Sequence, residues 1–153
     1  MNKLDYKSPI GIVEIVGTEE VVSSIMFIEG DEVSNTVNSE TPQVLVDCSI
    51  QLDEYFKGER HVFSFPYNFE GTEFQKKVWK ELIKIPYGET RSYKEIAKAI
   101  GNENASRAVG NANNKNKLAI VIPCHRVIGK DGGLGGYSYG LNKKDYLLKL
   151  EKF

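Results

Sequence analysis

The chain holds only two cysteines, two histidines and one tryptophan in 153 residues. No C-x-x-C pair exists with which His61 and His125 could complete a four-ligand zinc site, so no metal centre is expected. Two cysteines, Cys48 and Cys124, make no disulfide framework, and nothing marks the chain as secreted. The opening Met1-Asn2-Lys3-Leu4-Asp5 lacks an apolar run behind its charge, so no signal peptide is expected. No apolar stretch approaches the ~18 residues of a membrane span. A reduced, cytoplasmic protein with no membrane contact is the expectation. Internal repeats and low-complexity segments are also missing.

What is present is ordinary in amount and uneven in placement. Hydrophobic content of 41% and charged content of 27% suit one compact domain or two small lobes. The net charge of −1 hides a division: residues 1–70 carry 4 Lys/Arg against 13 Asp/Glu (net −9), and residues 71–153 carry 16 against 8 (net +8). An acidic half joined to a basic half points the second half at a polyanion, with nucleic acid the leading partner.

In the first half, residues 10–16 (IGIVEIV) and 21–28 (VVSSIMFI) are rich in β-branched residues and flank Gly17-Thr18-Glu19-Glu20, which predicts a hairpin. Residues 30–41 are polar and read as a loop. Leu45, Cys48, Leu52 and Tyr55 then fall at helical spacing, with Gly58 as the stop, so Cys48 belongs to a core face. HVFSF, 61–65, reads as a short strand, and PYNFEG, 66–71, as the linker. The expected domains are 1–66 and 67–153.

The second half is helical and well punctuated. Thr72 with Gln75, and Ser92 with Glu95, have capping-box spacing, and Gly101 fits a helix C-terminus. Ala105, Ala108, Val109 and Ala112 recur at i, i+3, i+4, i+7 after a short connector, giving a helix-turn-helix. Arg107, Asn111, Asn113 and Asn114 would form the DNA-reading surface of its second helix. Leu118–Ile122 reads as a buried strand, ended by Pro123, that presents Cys124 with His125 and Arg126 at a turn. GKDGGLGGYSYG, 129–140, has six glycines in twelve residues but lacks the Lys-Ser/Thr ending of a phosphate-binding loop. LNKKDYLLKLEKF closes the chain as a helix.

A presented cysteine and a DNA-reading helix belong together in covalent chemistry on DNA. The segments GTEFQKKVWKELIKIPYGETRSYKEIAKAIG, SRAVGNANNKN, VIPCHRVIG and GGYSYGLNKKDYLLKLE resemble the O6-alkylguanine-DNA alkyltransferases, the methylated-DNA–protein-cysteine methyltransferases. The likeness covers essentially residues 71–151, with Pro123-Cys124-His125-Arg126-Val127 its most specific motif; the first half matches mainly through YFKGER. The resemblance implies an α/β (α+β) fold: a small ribonuclease H-like N-terminal lobe with a sheet and a helix, then a mainly helical, winged-helix-like lobe. It implies irreversible, single-turnover transfer of an alkyl group from guanine O6 in duplex DNA to Cys124, with thymine O4 a second alkylated oxygen within reach of the chemistry. No cofactor is implied, and a monomer is expected.

A free thiol is mostly protonated at neutral pH, so a base must help. The resemblance assigns that role to His125 acting through a water, oriented by Glu151; the residues alone did not choose Glu151 over Asp145 or Asp131. It assigns Arg107 to fill the stack vacated by the flipped base, Tyr93 to aid nucleotide rotation, and Asn116 to tie the recognition helix to the cysteine turn. The base would be read by backbone groups of Cys124, Val127 and Ser138, with Tyr137 packed on it, and the helix-turn-helix would enter the minor groove. Arg126 is expected to support structure. Tyr139 departs from the small residue common in the family and predicts a narrower pocket that favours methyl groups. Two other readings compete. Alkyltransferase-like lesion-binding proteins lack the cysteine, and a cysteine hydrolase would leave the basic half unexplained.

Overall fold

The computed structural model describes residues 1–129 and 131–152. Lys130, in the glycine-rich stretch, and Phe153 lie outside the described residues. The chain divides into two compact units: Met1–Phe69 with Lys117–Ala119, and Glu70–Asn116 with Ile120–Phe153.

The first unit is a three-stranded antiparallel sheet, β1 (Asn2–Ser8), β2 (Gly11–Gly17) and β3 (Val22–Ile28), with helix α1 (Gln43–Phe56) packed against it. β2 is central, which is why its run reads as almost continuously apolar, with Ile12, Val13 and Ile15 all buried. β1 is an addition to the sequence reading: its polar composition masks an edge strand that buries Leu4. Buried Asp5 accepts backbone N–H bonds from Ser34 (2.9 Å) and Asn35 (3.0 Å), which fixes part of the polar loop. Burial alone would raise its pKa, but these bonds hold its carboxyl below the usual value. Cys48 sits fully buried on α1, where burial pushes its thiol well up and leaves it inert.

Residues 61–65 do not form the expected strand. Tyr67 instead bridges Val22 at the outer edge of β3. The expected strand at 118–122 is also corrected. Leu118 makes one parallel bridge to Ile25, and the chain then turns through Ile120 at φ +72°. All five residues are buried, so composition could not separate a strand from a buried turn. A β-branched residue at positive φ is strained, and burial of Ile120 to 1% exposure is what holds it there.

The second unit contains α2 (Glu73–Ile83), β4 (Arg91–Ser92), α3 (Tyr93–Ala99), α4 (Ser106–Asn114), a single helical turn at Cys124–Arg126, β5 (Val127–Ile128) and α5 (Leu141–Glu151). β4 and β5 pair in parallel, Arg91 with Val127. Both capping boxes form, at Thr72 and Ser92, and Gly101 takes φ +84° just past α3. Val78, Trp79 and Leu82 of α2, Ile96 and Ala97 of α3, and Val109 and Ala112 of α4 supply the core. The Trp79 indole donates to the Ala112 carbonyl at 2.9 Å and ties α2 to the end of α4.

α4 corrects the sequence reading in two places. Ala108 is exposed, and Asn113 is buried to 2% exposure. The outer face of α4 therefore carries Arg107, Ala108, Asn111 and Asn114, and Asn113 faces inward. Replacing Ser92 with alanine removes the cap at the start of α3, and chemical denaturation is expected to read a loss of about 1 kcal/mol.

Candidate active site

The helical turn at Cys124–Arg126 begins where Pro123 halts the backbone, and all three side chains are buried. Cys124 is 3% exposed. Two asparagines hold it. Asn116 Nδ2 donates to Cys124 Sγ at 3.3 Å and to the Ile122 carbonyl at 2.9 Å. Asn113 Nδ2 donates to the Cys124 carbonyl at 3.2 Å. Burial raises the thiol pKa, and the Asn116 bond and the positive charge of Lys144 return part of that shift. The resting thiol is therefore protonated and needs a base.

His125 is that group's neighbour in sequence and has no exposure. Its Nε2 lies 2.6 Å from Glu151 Oε2. Glu151 also accepts from Arg126, Nε to Oε1 at 2.7 Å and Nη2 to Oε2 at 3.1 Å, and Arg126 Nη1 donates to the Ile85 carbonyl at 2.8 Å. Burial alone would raise the Glu151 pKa, yet the His125 and Arg126 bonds bring it down to about 2. Burial lowers the His125 pKa against the pull of Glu151, so the ring is neutral at pH 7. A neutral ring facing a carboxylate carries its proton on Nε2, which leaves Nδ1 as an acceptor. Nδ1 has no protein partner.

α5 supplies a second charged group. Lys144 is fully buried and donates to the Val127 carbonyl at 2.5 Å and the Gly136 carbonyl at 3.0 Å. Burial drops its pKa to about 8. Lys144, Leu147 and Glu151 stand at i, i+3 and i+7, so one helical face brings both charges inward. That spacing was readable in the sequence; the roles of Lys144 and Asn113 were missed because Lys and Asn usually mark an outer face.

The glycine-rich loop closes around these groups. The Tyr93 hydroxyl donates to the Gly136 carbonyl (3.4 Å) and accepts from its N–H (3.3 Å). Gly135 has φ +69°, and a Cβ there would stand 2.9 Å from the Tyr93 ring. Tyr137 is buried, packs edge-on to Tyr139 with centroids 5.6 Å apart, and leaves its hydroxyl unpartnered. Burial pushes its pKa well above the usual value and that of Tyr139 up to about 12. Ser138 is exposed in the same loop, and Val127 is buried beneath Lys144. Arg107 stands apart from this cluster, exposed on the outer face of α4 with Lys94, Lys98 and Lys115 also exposed on the helix-turn-helix. Among the described residues, no group of three or more His, Cys, Asp or Glu side chains could hold a metal ion, and no helix is long and apolar enough to cross a membrane.

A protonated thiol beside a histidine–carboxylate pair, carried under a helix-turn-helix, is an arrangement for nucleophilic chemistry with a nucleic acid within reach. The family model for the ribonuclease-like domain of 6-O-methylguanine DNA methyltransferase matches residues 4–69, and that for its DNA-binding domain matches residues 73–153. The chain belongs to this family. It is 51% identical over 148 residues to the methylated-DNA–protein-cysteine methyltransferase of Methanosarcina acetivorans, covering 95% of each chain. The constitutive Bacillus subtilis protein of that name is 44% identical, with 95% of this chain and 92% of that one covered. The crystal structure of Mycobacterium tuberculosis OGT in complex with DNA superposes with a TM-score of 0.87 at 44% identity, covering 99% of this chain and 93% of that one.

The buried charges make two predictions. Arg126→Ala strands the Glu151 carboxylate and is expected to cost about 3–5 kcal/mol in urea denaturation. The lowered Glu151 pKa means that its ionised form stabilises the fold fully above the ordinary glutamate value of 4.5, and that this contribution is lost as pH falls towards 2. The lowered His125 pKa acts in the same direction from 6.5 downward. The stability of the wild type, measured against pH, is expected to fall more steeply below pH 4.5 than that of Glu151→Gln.

Proposed function

We propose that this protein repairs alkylated DNA by direct reversal, as a methylated-DNA–protein-cysteine methyltransferase that uses Cys124 once. The observation that carries the reading is the Cys124, His125, Glu151 arrangement, with a neutral imidazole whose free acceptor atom is buried on the residue that follows the cysteine. His125 Nδ1 takes the thiol proton through a water, and Glu151 stabilises the imidazolium that forms. The thiolate attacks the alkyl carbon: the S–C bond forms, the C–O6 bond breaks, and its electron pair leaves with the guanine. The guanine anion takes up a proton at N1 from solvent, and the imidazolium gives its proton back to solvent, so the charges balance. The thioether that remains has no competent leaving group, so the protein turns over once.

Asn116 positions Sγ. Arg107 enters the duplex from the exposed face of α4 and occupies the stack as the base swings out, aided by Tyr93. The carbonyls of Cys124 and Val127 and the amide at Ser138 read the base, and Tyr137 packs on it. The two domains, 1–66 and 67–153 by sequence, divide scaffold from chemistry. The protein works on double-stranded DNA, in the cytoplasm, as a monomer. The presence of Cys124 favours transfer over lesion binding alone.

Intact-protein mass spectrometry after mixing with a duplex containing one O6-methylguanine tests this. The wild type is expected to gain one methyl on the Cys124 peptide and stop at one equivalent, while Cys124→Ser gains none. Lesion-selective binding without a mass gain would instead establish a binding module. Tyr139 narrows the pocket, so Tyr139→Gly is expected to raise the rate with O6-benzylguanine relative to O6-methylguanine. An unchanged ratio would refute the narrowing.

A further inference from the structure

Arg107, Gly110, Asn111 and Asn114 fall at i, i+3, i+4 and i+7 and form one stripe along the outer side of α4. Arg107, Asn111 and Asn114 are exposed, and Gly110 is half-buried. The opposite side of the helix is fixed, because Val109, Ala112 and Asn113 are buried and the Trp79 indole holds the Ala112 carbonyl at 2.9 Å. α4 therefore cannot roll to bring Asn111 inward. Two features of the stripe have no cause inside the protein. Glycine in a helix interior is destabilising relative to alanine. Outside its own helix, a Cβ at Gly110 would come near only the Tyr93 ring, at an ordinary contact distance of 3.8 Å, so packing does not demand glycine there. Lysines 94, 98 and 115, exposed on the same helix-turn-helix, suit phosphates, whereas Asn111 is neutral and offers a donor and an acceptor together.

Bare backbone at Gly110 and a lone methyl group at the exposed Ala108 let another surface come close to the helix. For DNA this selects a groove. The major groove, about 12 Å wide, takes a whole helix, and long side chains reach its floor. The minor groove, about 6 Å wide, admits only the edge of a helix, and only where that edge is small. Arg107, entering the stack, marks the point on the stripe that faces the vacated base. Asn111 lies one turn further along, about 6 Å, which is the height of one or two base-pair steps. In the minor groove guanine offers N3 as an acceptor and its 2-amino group as a donor, whereas an A·T pair offers acceptors only. An asparagine amide matches guanine on both counts, with Nδ2 as donor to N3 and Oδ1 as acceptor from the amino group. We propose that Asn111 is a specificity-determining residue that reads the minor-groove edge of a guanine within two base pairs of the lesion, so that transfer is faster beside a G·C pair. This inference rests on the alkyltransferase reading, with Arg107 as the residue that fills the stack.

The test measures single-turnover methyl transfer from duplexes that carry one O6-methylguanine and, one or two pairs to either side of it, guanine or hypoxanthine opposite cytosine. The two neighbours differ only in the minor-groove amino group. The preference for guanine is compared between the wild type and Asn111→Ala; differences in duplex stability are common to both and cancel. Alanine is a stronger helix former than asparagine, so the variant keeps its fold. At one of the flanking positions the wild-type preference is expected to exceed that of the variant by about fivefold or more. A quotient near one at every position, including equal slowing of the variant on all duplexes, would overturn the proposal. Gly110→Ala checks the close approach: it is expected to resist urea better than the wild type while transferring methyl more slowly from every duplex. Unaltered transfer by that variant would remove the groove contact on which the proposal depends. Failure of the wild type to methylate Cys124 from any of the duplexes would sink the alkyltransferase reading itself.

Discussion

One carboxylate governs the second unit's interior. Glu151 is almost fully buried and accepts from His125 and twice from Arg126. An ionised carboxylate in such a place is tolerable only when its lone pairs are met by charged or strongly polar donors. Meeting that demand fixes the Cys124–Arg126 turn, because His125 and Arg126 are both on it. Arg126 extends the constraint to the Ile85 carbonyl, at the turn that follows α2. The geometry around the thiol is therefore a by-product of satisfying one charge. This gives Arg126 a larger part than structural support in general: it shares with His125 the task of holding the carboxylate ionised.

The same cluster keeps the nucleophile quiet until it is needed. Burial favours the thiol over the thiolate, and the Asn116 N–H and the Lys144 ammonium only partly counter it. The groups that would stabilise the thiolate are in place, but the proton has to be removed to a neighbouring base. Such a site reacts when proton acceptor, water and substrate coincide, and is otherwise guarded against adventitious oxidation.

The two capping boxes, the hairpin of β2 and β3, α1 and the helix-turn-helix were legible because caps and helical periodicity are local signals. Cys124 and His125 stand out locally at the Pro123 turn, but Glu151 is singled out only by likeness to a family, since it lies 26 positions from His125 and no local rule chooses among acids. Two kinds of feature stay hidden from local patterns. Leu118–Ile122 reads as a strand because an apolar run records burial and says nothing of φ, and Ile120 takes a conformation its type rarely adopts. Asn113 reads as outward-facing because asparagine is usually solvated, and the polar composition of β1 hides its strand character. Polar residues that a fold turns inward are illegible until their partners are known, and in this chain those partners are distant in sequence.

Glu151 is also the last residue of α5. A negative charge there opposes the helix dipole, and a terminal turn is where helices ordinarily fray. In α5 the relation is reversed, because the final residue is the one clamped by a histidine and an arginine while the first residue, Leu141, stands exposed. The helix is held at both ends, at its last residue by the histidine and arginine and in its first turn by Lys144 on the Val127 and Gly136 carbonyls.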